Sequence, residues 1–241
     1  MRDETVDSRV RGTHVNWDFR SHHSLEDGTK VSLRLIRPDD RENLVAGFER
    51  LSPTTRYRRF FSATARLSET MLRYFTETDG WDHVAVCASV DSRAGEGFVG
   101  VARFIRVADT PDTAEAAVAV IDEMQGRGLG RLLLTTMAVA ARERGIKKFR
   151  AQVLPHNKPM TSLLHSLDDH AKPSLQDGLL VYELPLPEIP PEGVAEWAVY
   201  QLMKLAAEGV EIVFRTIRGI GLSARDLERS LARSIVGKKP R

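Results

Sequence analysis

The stretch Gln125-Gly126-Arg127-Gly128-Leu129-Gly130 is the part of this chain best suited to holding an anion. Glycines at alternate positions let the backbone approach a ligand closely and turn several N–H groups toward it. The run Ala114 to Ile121 before it reads as a strand, and Arg131 to Arg144 after it reads as a long amphipathic helix. A helix start directly behind such a loop adds unpaired N–H groups and a partial positive charge. Together these features suit a phosphate or pyrophosphate. Arg127 and Arg131 would add charge beside the phosphates, or else are exposed side chains at a helix start. A plain glycine-rich turn is the alternative, and the flanking strand and helix weigh against it. Two other phosphate loops do not match. The P-loop needs Gly-x-x-x-x-Gly-Lys-Ser/Thr, and no Lys-Ser or Lys-Thr pair follows these glycines. The dinucleotide fingerprint needs Gly-x-Gly-x-x-Gly, and the spacing here is Gly-x-Gly-x-Gly.

The loop resembles the Gln/Arg-x-x-Gly-x-Gly/Ala loop of the GNAT N-acetyltransferase superfamily, which holds the pyrophosphate of coenzyme A. Gln125, Gly128 and Gly130 match it position by position. The preceding Val118-Ala119-Val120-Ile121 and the following Leu132-Leu133-Leu134 match its context. The resemblance implies acetyl-CoA as co-substrate. Backbone N–H groups of Gly126, Arg127, Gly128, Leu129, Gly130 and Arg131 would hold the pyrophosphate. The edge carrying Val118 and Val120 would pair with the amides of pantetheine. In GNAT proteins an asparagine at the place of Asn157 bonds to the pantetheine arm, and Asn157 could equally cap a helix.

Moving an acetyl group from a thioester to an amine needs a fixed carbonyl, a deprotonated amine and a donor for the oxyanion. Glu115 is the candidate base. It lies in the strand leading to the loop, among the small residues Ala114, Ala116 and Ala117, where desolvation would raise its pKa. A strand-end salt bridge is the competing role. Asp122 and Glu123 are weaker candidates, because a carboxylate beside the pyrophosphate would repel it. A backbone N–H, that of Val120 in particular, is the expected oxyanion donor. Many GNAT enzymes place a tyrosine acid a few residues after the asparagine. Here Lys158-Pro159-Met160-Thr161-Ser162-Leu163-Leu164 contains none. Tyr182 reads as a strand core residue, and a thiolate is a fair leaving group without an acid.

Several segments narrow the resemblance to bacterial Pat-like protein lysine acetyltransferases. These are Asp27-Gly28-Thr29, Arg34-Leu35-Ile36-Arg37-Pro38-Asp39-Asp40, Arg56-Tyr57-x-Arg59-Phe60-Phe61, Asp82-His83-Val84-Ala85 and Ala114-Glu115. In that group the glutamate matching Glu115 serves as the base, and the acceptor is a protein lysine. Two features depart from it. Some Pat-like proteins carry a cyclic-nucleotide domain in front, which 26 polar residues cannot form. The usual Leu-Gly-Phe after the short helix is replaced by Leu167-Asp168-Asp169-His170, a region that can shape the acceptor side.

The elements that must position these residues form an α+β pattern. Gly28 to Arg37 alternates as a first strand, and Pro38-Asp39-Asp40 punctuates it before a helix bearing Leu44, Val45 and Phe48. Ser52-Pro53 and Ser68 start two further helices. Asp82 to Val90, Gly97 to Val107 and Ala114 to Ile121 read as strands, followed by the long helix, a strand over Lys148 to Leu154, a helix over Asn157 to Leu167, and a strand over Leu179 to Leu184. This order resembles the GNAT fold: a mixed central sheet flanked by helices, with the strands on either side of the long helix parallel and splayed. The expected domains are a loose polar arm over 1–26, a GNAT domain over 27–186, and a proline-rich linker with a helical C-terminal extension over 187–241. The extension has apolar residues from Trp197 to Ile217 and a second short helix over Asp226 to Ile235. A homodimer through these helices is one expectation.

The remaining composition excludes more than it suggests. The 35 basic and 33 acidic residues nearly balance, so there is no global case for nucleic acid as partner. No apolar run spans a membrane and no secretory h-region is seen, so a cytoplasmic location is expected. The single cysteine, Cys87, reads as a buried thiol. No metal-ligand spacing appears, and His22, His23, His165 and His170 read as solvated surface. Two other functions stay open: acetylation of a small-molecule amine, and a non-catalytic acyl-CoA sensor or scaffold.

Overall fold

The strand pattern expected between residues 28 and 185 forms the body of one sheet. The structure, a computed structural model, describes residues 4–61, 66–90, 97–166 and 168–187. Eight strands are ordered β1-β2-β3-β4-β5-β6-β8-β7. They are β1 Arg20–Ser24, β2 Lys30–Leu35, β3 His83–Val90, β4 Gly100–Val107, β5 Thr110–Val120, β6 Lys148–Val153, β7 Ser174–Gln176 and β8 Leu179–Pro185. All neighbours are antiparallel except β5 and β6. That parallel pair needs a crossover, and helix α5, Leu129–Glu143, supplies it.

The period of two along each strand sorts the side chains between two faces. Ala114, Ala116, Val118 and Val120 of β5 join the main core cluster with Leu129, Leu133 and Met137 of α5. Full burial of such a leucine or methionine contributes about 1.5–3 kcal/mol relative to exposure, so this face dominates the packing. The opposite face is covered by α2 Arg41–Glu49, α3 Pro53–Phe60 and α4 Glu69–Thr76. Ser52 and Ser68 cap α3 and α4 as their spacing predicts, accepting from the N–H groups of Thr55 and Met71. Gly47 of α2 lies against the chain entering β4, where a Cβ would stand 2.4 Å from the Phe98 carbonyl oxygen. Only glycine allows that approach.

The N-terminal segment differs from the loose arm expected of it. Residues Glu4–Arg11 form α1, and β1 pairs with β2 from Arg20↔Arg34 to Ser24↔Lys30. Val10 and Val15 are buried. The segment is held by Arg144, whose side chain is fully buried at the end of α5. Arg144 donates to the carbonyls of Val15 at 2.7 Å, Gly80 at 2.8 Å and Ala140 at 2.7 Å. Glu143 accepts from the N–H groups of His14 and Val15. Polar composition hid this, because the anchoring is through backbone groups that any sequence carries. The turn over 91–96 and the C-terminal helices over 187–241, with the dimer surface expected of them, lie outside the described residues apart from Pro187.

Candidate active site

The β5–β6 ladder has three rungs, Thr113↔Lys148, Ala114↔Phe149 and Glu115↔Arg150. On its other side, β5 stays paired with β4 through to Gly100↔Val120. From Ala116 onward β5 therefore has an open edge beside a diverging parallel strand. Ile121 donates its N–H to Val99, on the β4 side. The Val120 carbonyl accepts instead from the Gln125 side chain at 2.9 Å. The backbone groups of Val120, and by alternation those of Val118, thus point into the gap.

The glycine loop closes one end of that gap. Gly126 and Gly128 have positive φ, 71° and 84°, which favours glycine at both positions. Gly128 is the N-cap of α5 and offers no side chain to cap it. Among the described residues the N–H groups of Gly126, Arg127, Gly128, Leu129 and Gly130 make no backbone hydrogen bond. Leu129 is fully buried and roots the helix start in the core. Gln125 folds back onto the strand end, so its side chain braces the loop. Arg127 pairs with Asp27 at 2.6 Å, and Arg131, half-buried, reaches the Ser166 carbonyl at 3.4 Å. Asp27 sits in the β1–β2 turn and also accepts from the Thr29 N–H at 2.9 Å. These hydrogen bonds, with help from Arg127, hold its carboxyl below the usual carboxylate range.

The two rival acids are occupied elsewhere. Asp122 accepts from the N–H and hydroxyl of Ser52, both at 2.8 Å, and from the Thr55 hydroxyl at 2.9 Å. These bonds outweigh its partial desolvation and lower its pKa, and they tie the start of α3 to the loop. Glu123 pairs with Arg50.

Glu115 lies at the last rung before the strands part, but it is exposed. The desolvation expected from Ala114 and Ala116 does not occur. Those neighbours point to the α5 face, and Glu115 points to the other. Arg150 stands opposite it in register, with its guanidinium 3.3 Å from Glu183. Asn157 is buried and caps α6, Lys158–His165, accepting from the Met160 N–H at 3.4 Å. Tyr182 is a buried core residue.

Comparisons with known proteins agree with this architecture. The family model for the acetyltransferase (GNAT) family matches residues 50–168. Acetyltransferase PA5475 of Pseudomonas aeruginosa is 30% identical over 144 residues, which is 60% of this chain and 77% of that protein. The chain belongs to the GNAT acetyltransferase family. Acetyltransferase Pat of Mycolicibacterium smegmatis is 34% identical over 143 residues, 59% of this chain, and that match spans only 42% of Pat. Among solved structures, the GNAT domain of S. lividans PAT superposes with a TM-score of 0.64 at 37% identity, covering 69% of this chain and 97% of that one.

On the face that carries Glu115, this GNAT domain holds a cavity of about 60 Å³ between α2, α3, α4 and the β4–β5 pair. Phe48, Phe60, Phe75 and Val101 give it apolar walls, and Arg59 and Arg103 give it cationic ones. Sequence reasoning gave neither arginine a role. Arg59 stands there only within the Arg56-Tyr57-x-Arg59-Phe60-Phe61 segment, and Arg103 breaks the apolar pattern of β4 at a position buried to 5% exposure. That break was the available signal. The thiol of Cys87 is buried and pushed up to about 12, chiefly by desolvation, so it is no nucleophile. His23 is half-buried rather than solvated, and burial lowers its pKa to about 4. Among the described residues no group of three metal-ligating side chains occurs, and no helix is long and apolar enough to cross a membrane.

Proposed function

We propose that the chain is an acetyl-CoA-dependent N-acetyltransferase that acetylates an amine, a protein lysine ε-amine in particular, with Glu115 as general base. The observation that carries this reading is the end of the β5–β6 ladder at Glu115, with an open edge running from there to an uncapped glycine loop. Pyrophosphate fits the amides of residues 126 to 130 and the start of α5. Pantetheine fits the edge of Val118 and Val120 as an added strand. On the same reading Arg127 and Arg131 are assigned to the phosphates and Asn157 to the pantetheine arm.

This arrangement leaves the thioester at the Glu115 end of the gap. There the acceptor ammonium gives a proton to the carboxylate, directly or through water, which its exposure permits. The amine nitrogen then bonds to the acetyl carbonyl carbon as the C–S bond breaks, and coenzyme A leaves as thiolate. The second amine proton passes to that thiolate, directly or through water, to leave a neutral amide and free coenzyme A. The likeness to Pat favours a protein lysine as acceptor, and the family allows a small amine. Calorimetric titration with acetyl-CoA, with NADH and ATP as controls, tests the first part. Selective binding of acetyl-CoA at micromolar strength is expected. Equal or absent binding of all three would reduce the loop to an ordinary turn.

A further inference from the structure

Arg103 and Arg59 form a pair of cations without a carboxylate partner among the described residues. Arg103 donates to the Phe75 carbonyl at 3.2 Å and bonds to His83 Nε2 at 3.0 Å, and its guanidinium lies 4.5 Å from the centre of the Phe75 ring. Arg59 lies over the Phe60 ring at 5.1 Å. Arg34, also partly buried, has Asp40 in a two-pronged pair at 2.5 and 2.6 Å. Arg144, fully buried, has three carbonyls and Glu143 nearby. Burying a charge is costly unless it is paired, and two like charges in one cavity add repulsion. Desolvation pushes Arg103 down to about 9, with Arg59 acting in the same direction. His83 offers no compensating charge, because burial and Arg103 hold it neutral, at about 4.

We propose that the cavity bearing Arg59 and Arg103 receives a carboxylate of the amine acceptor. Three features point to this occupant. A cavity of about 60 Å³ has room for a carboxylate-sized group. Guanidinium groups match a carboxylate in charge and in planar geometry. The cavity also adjoins the reacting end of the site. It runs from Ala119 and Ile121, beside the glycine loop, to Arg103, which is paired in register with Ala117, two residues from Glu115 along the same face. By strand spacing, Arg103 and Glu115 are about 8 Å apart at their Cα atoms. An acceptor could thus present its amine to Glu115 and its carboxylate to the arginines. The inference rests on the amine-acetylation reading above and specifies the acceptor: an amine with an acidic group within reach, either an acidic residue near a target lysine or the carboxylate of a free amino acid.

The test uses paired acceptors that differ only in that charge. Lysine peptides carry Glu or Gln at the positions flanking the lysine, and free amino acids are set against their amides. The wild-type protein is expected to favour the acidic member of a pair by at least roughly tenfold in kcat/KM, the scale of one charged hydrogen-bonded contact. Arg59→Met is expected to shrink that ratio below about twofold. Preference among peptides alone assigns the carboxylate to a protein, and preference among amino acids alone assigns it to a small molecule. A wild-type ratio near one in both sets overturns the proposal. If no amine is acetylated, the transferase reading fails, and binding decides this proposal separately. Sodium acetate should then raise the melting temperature of the wild-type protein above that in sodium chloride or acetamide of equal concentration, and no difference from those controls overturns it.

Discussion

Gly128→Ala and Gly145→Ala together separate backbone strain from ligand contact. Both glycines hold left-handed backbone, with φ of 84° and 78°, at opposite ends of α5. Neither position is crowded. A Cβ added at Gly145 meets nothing within 4 Å, and one at Gly128 meets only Glu26 Oε1 at 3.7 Å. Each substitution therefore carries the same strain, roughly 1–2 kcal/mol. For a domain of this size that lowers Tm by roughly 2–8 °C. The strain is present with and without ligand, so it leaves the dissociation constant unchanged. A methyl group at Gly128 acts further, because it stands among the free amides of the loop. Losing one hydrogen bond from those amides to a charged phosphate costs roughly 1.5–3 kcal/mol. The Kd for acetyl-CoA should then rise roughly ten- to a hundredfold in Gly128→Ala and stay at the wild-type value in Gly145→Ala. Calorimetric titration of the three proteins, beside their melting curves, measures both effects. Equal rises in Kd in the two variants, or none in Gly128→Ala, would refute the loop as the pyrophosphate cradle.

Three further outcomes are expected. Glu115→Gln keeps acetyl-CoA binding and lowers kcat by roughly 10²–10⁴ at neutral pH, the range of a lost general base, and wild-type turnover would remove Glu115 from that role. Arg144→Met leaves buried carbonyls of Val15, Gly80 and Ala140 without their donor and should destabilise the fold by about 3–5 kcal/mol in urea unfolding. A loss under about 1 kcal/mol would mean that the N-terminal segment is not held as described. Stability should also fall on acidification between about pH 6.5 and 4. His23 and His83 are each lowered to about 4 in the fold, so the unfolded chain binds more protons in that window. Their contribution is full above pH 6.5 and lost as pH falls toward 4. His83→Gln, which keeps an acceptor for Arg103, should flatten the slope of unfolding free energy against pH, and an unchanged slope would count against it.

Local signals were enough for the loop and its surroundings. Glycine spacing marks where φ must be positive, serine caps mark the starts of α3 and α4, and period two marks the strands. Each of these depends on residues a few positions apart, so the sequence by itself determined the GNAT architecture and the position of the glycine loop. Tertiary structure decided what depends on distant partners. That the two strands splay is implied by the family resemblance, but where they part, after Glu115, is a matter of pairing across a crossover, and that position sets the gap. Whether Glu115 is dry or wet depends on which face its strand turns outward, so the alanines beside it in sequence do not cover it. The N-terminal segment folds in because Arg144 and Glu143, more than 120 residues away, satisfy its backbone groups. Arg59 and Arg103 come from a helix and a strand that meet only when α3 packs on the sheet. Their shared charge is an energetic fact only there, because two cations far apart in water scarcely interact, whereas two in one apolar cavity repel and attract an anion.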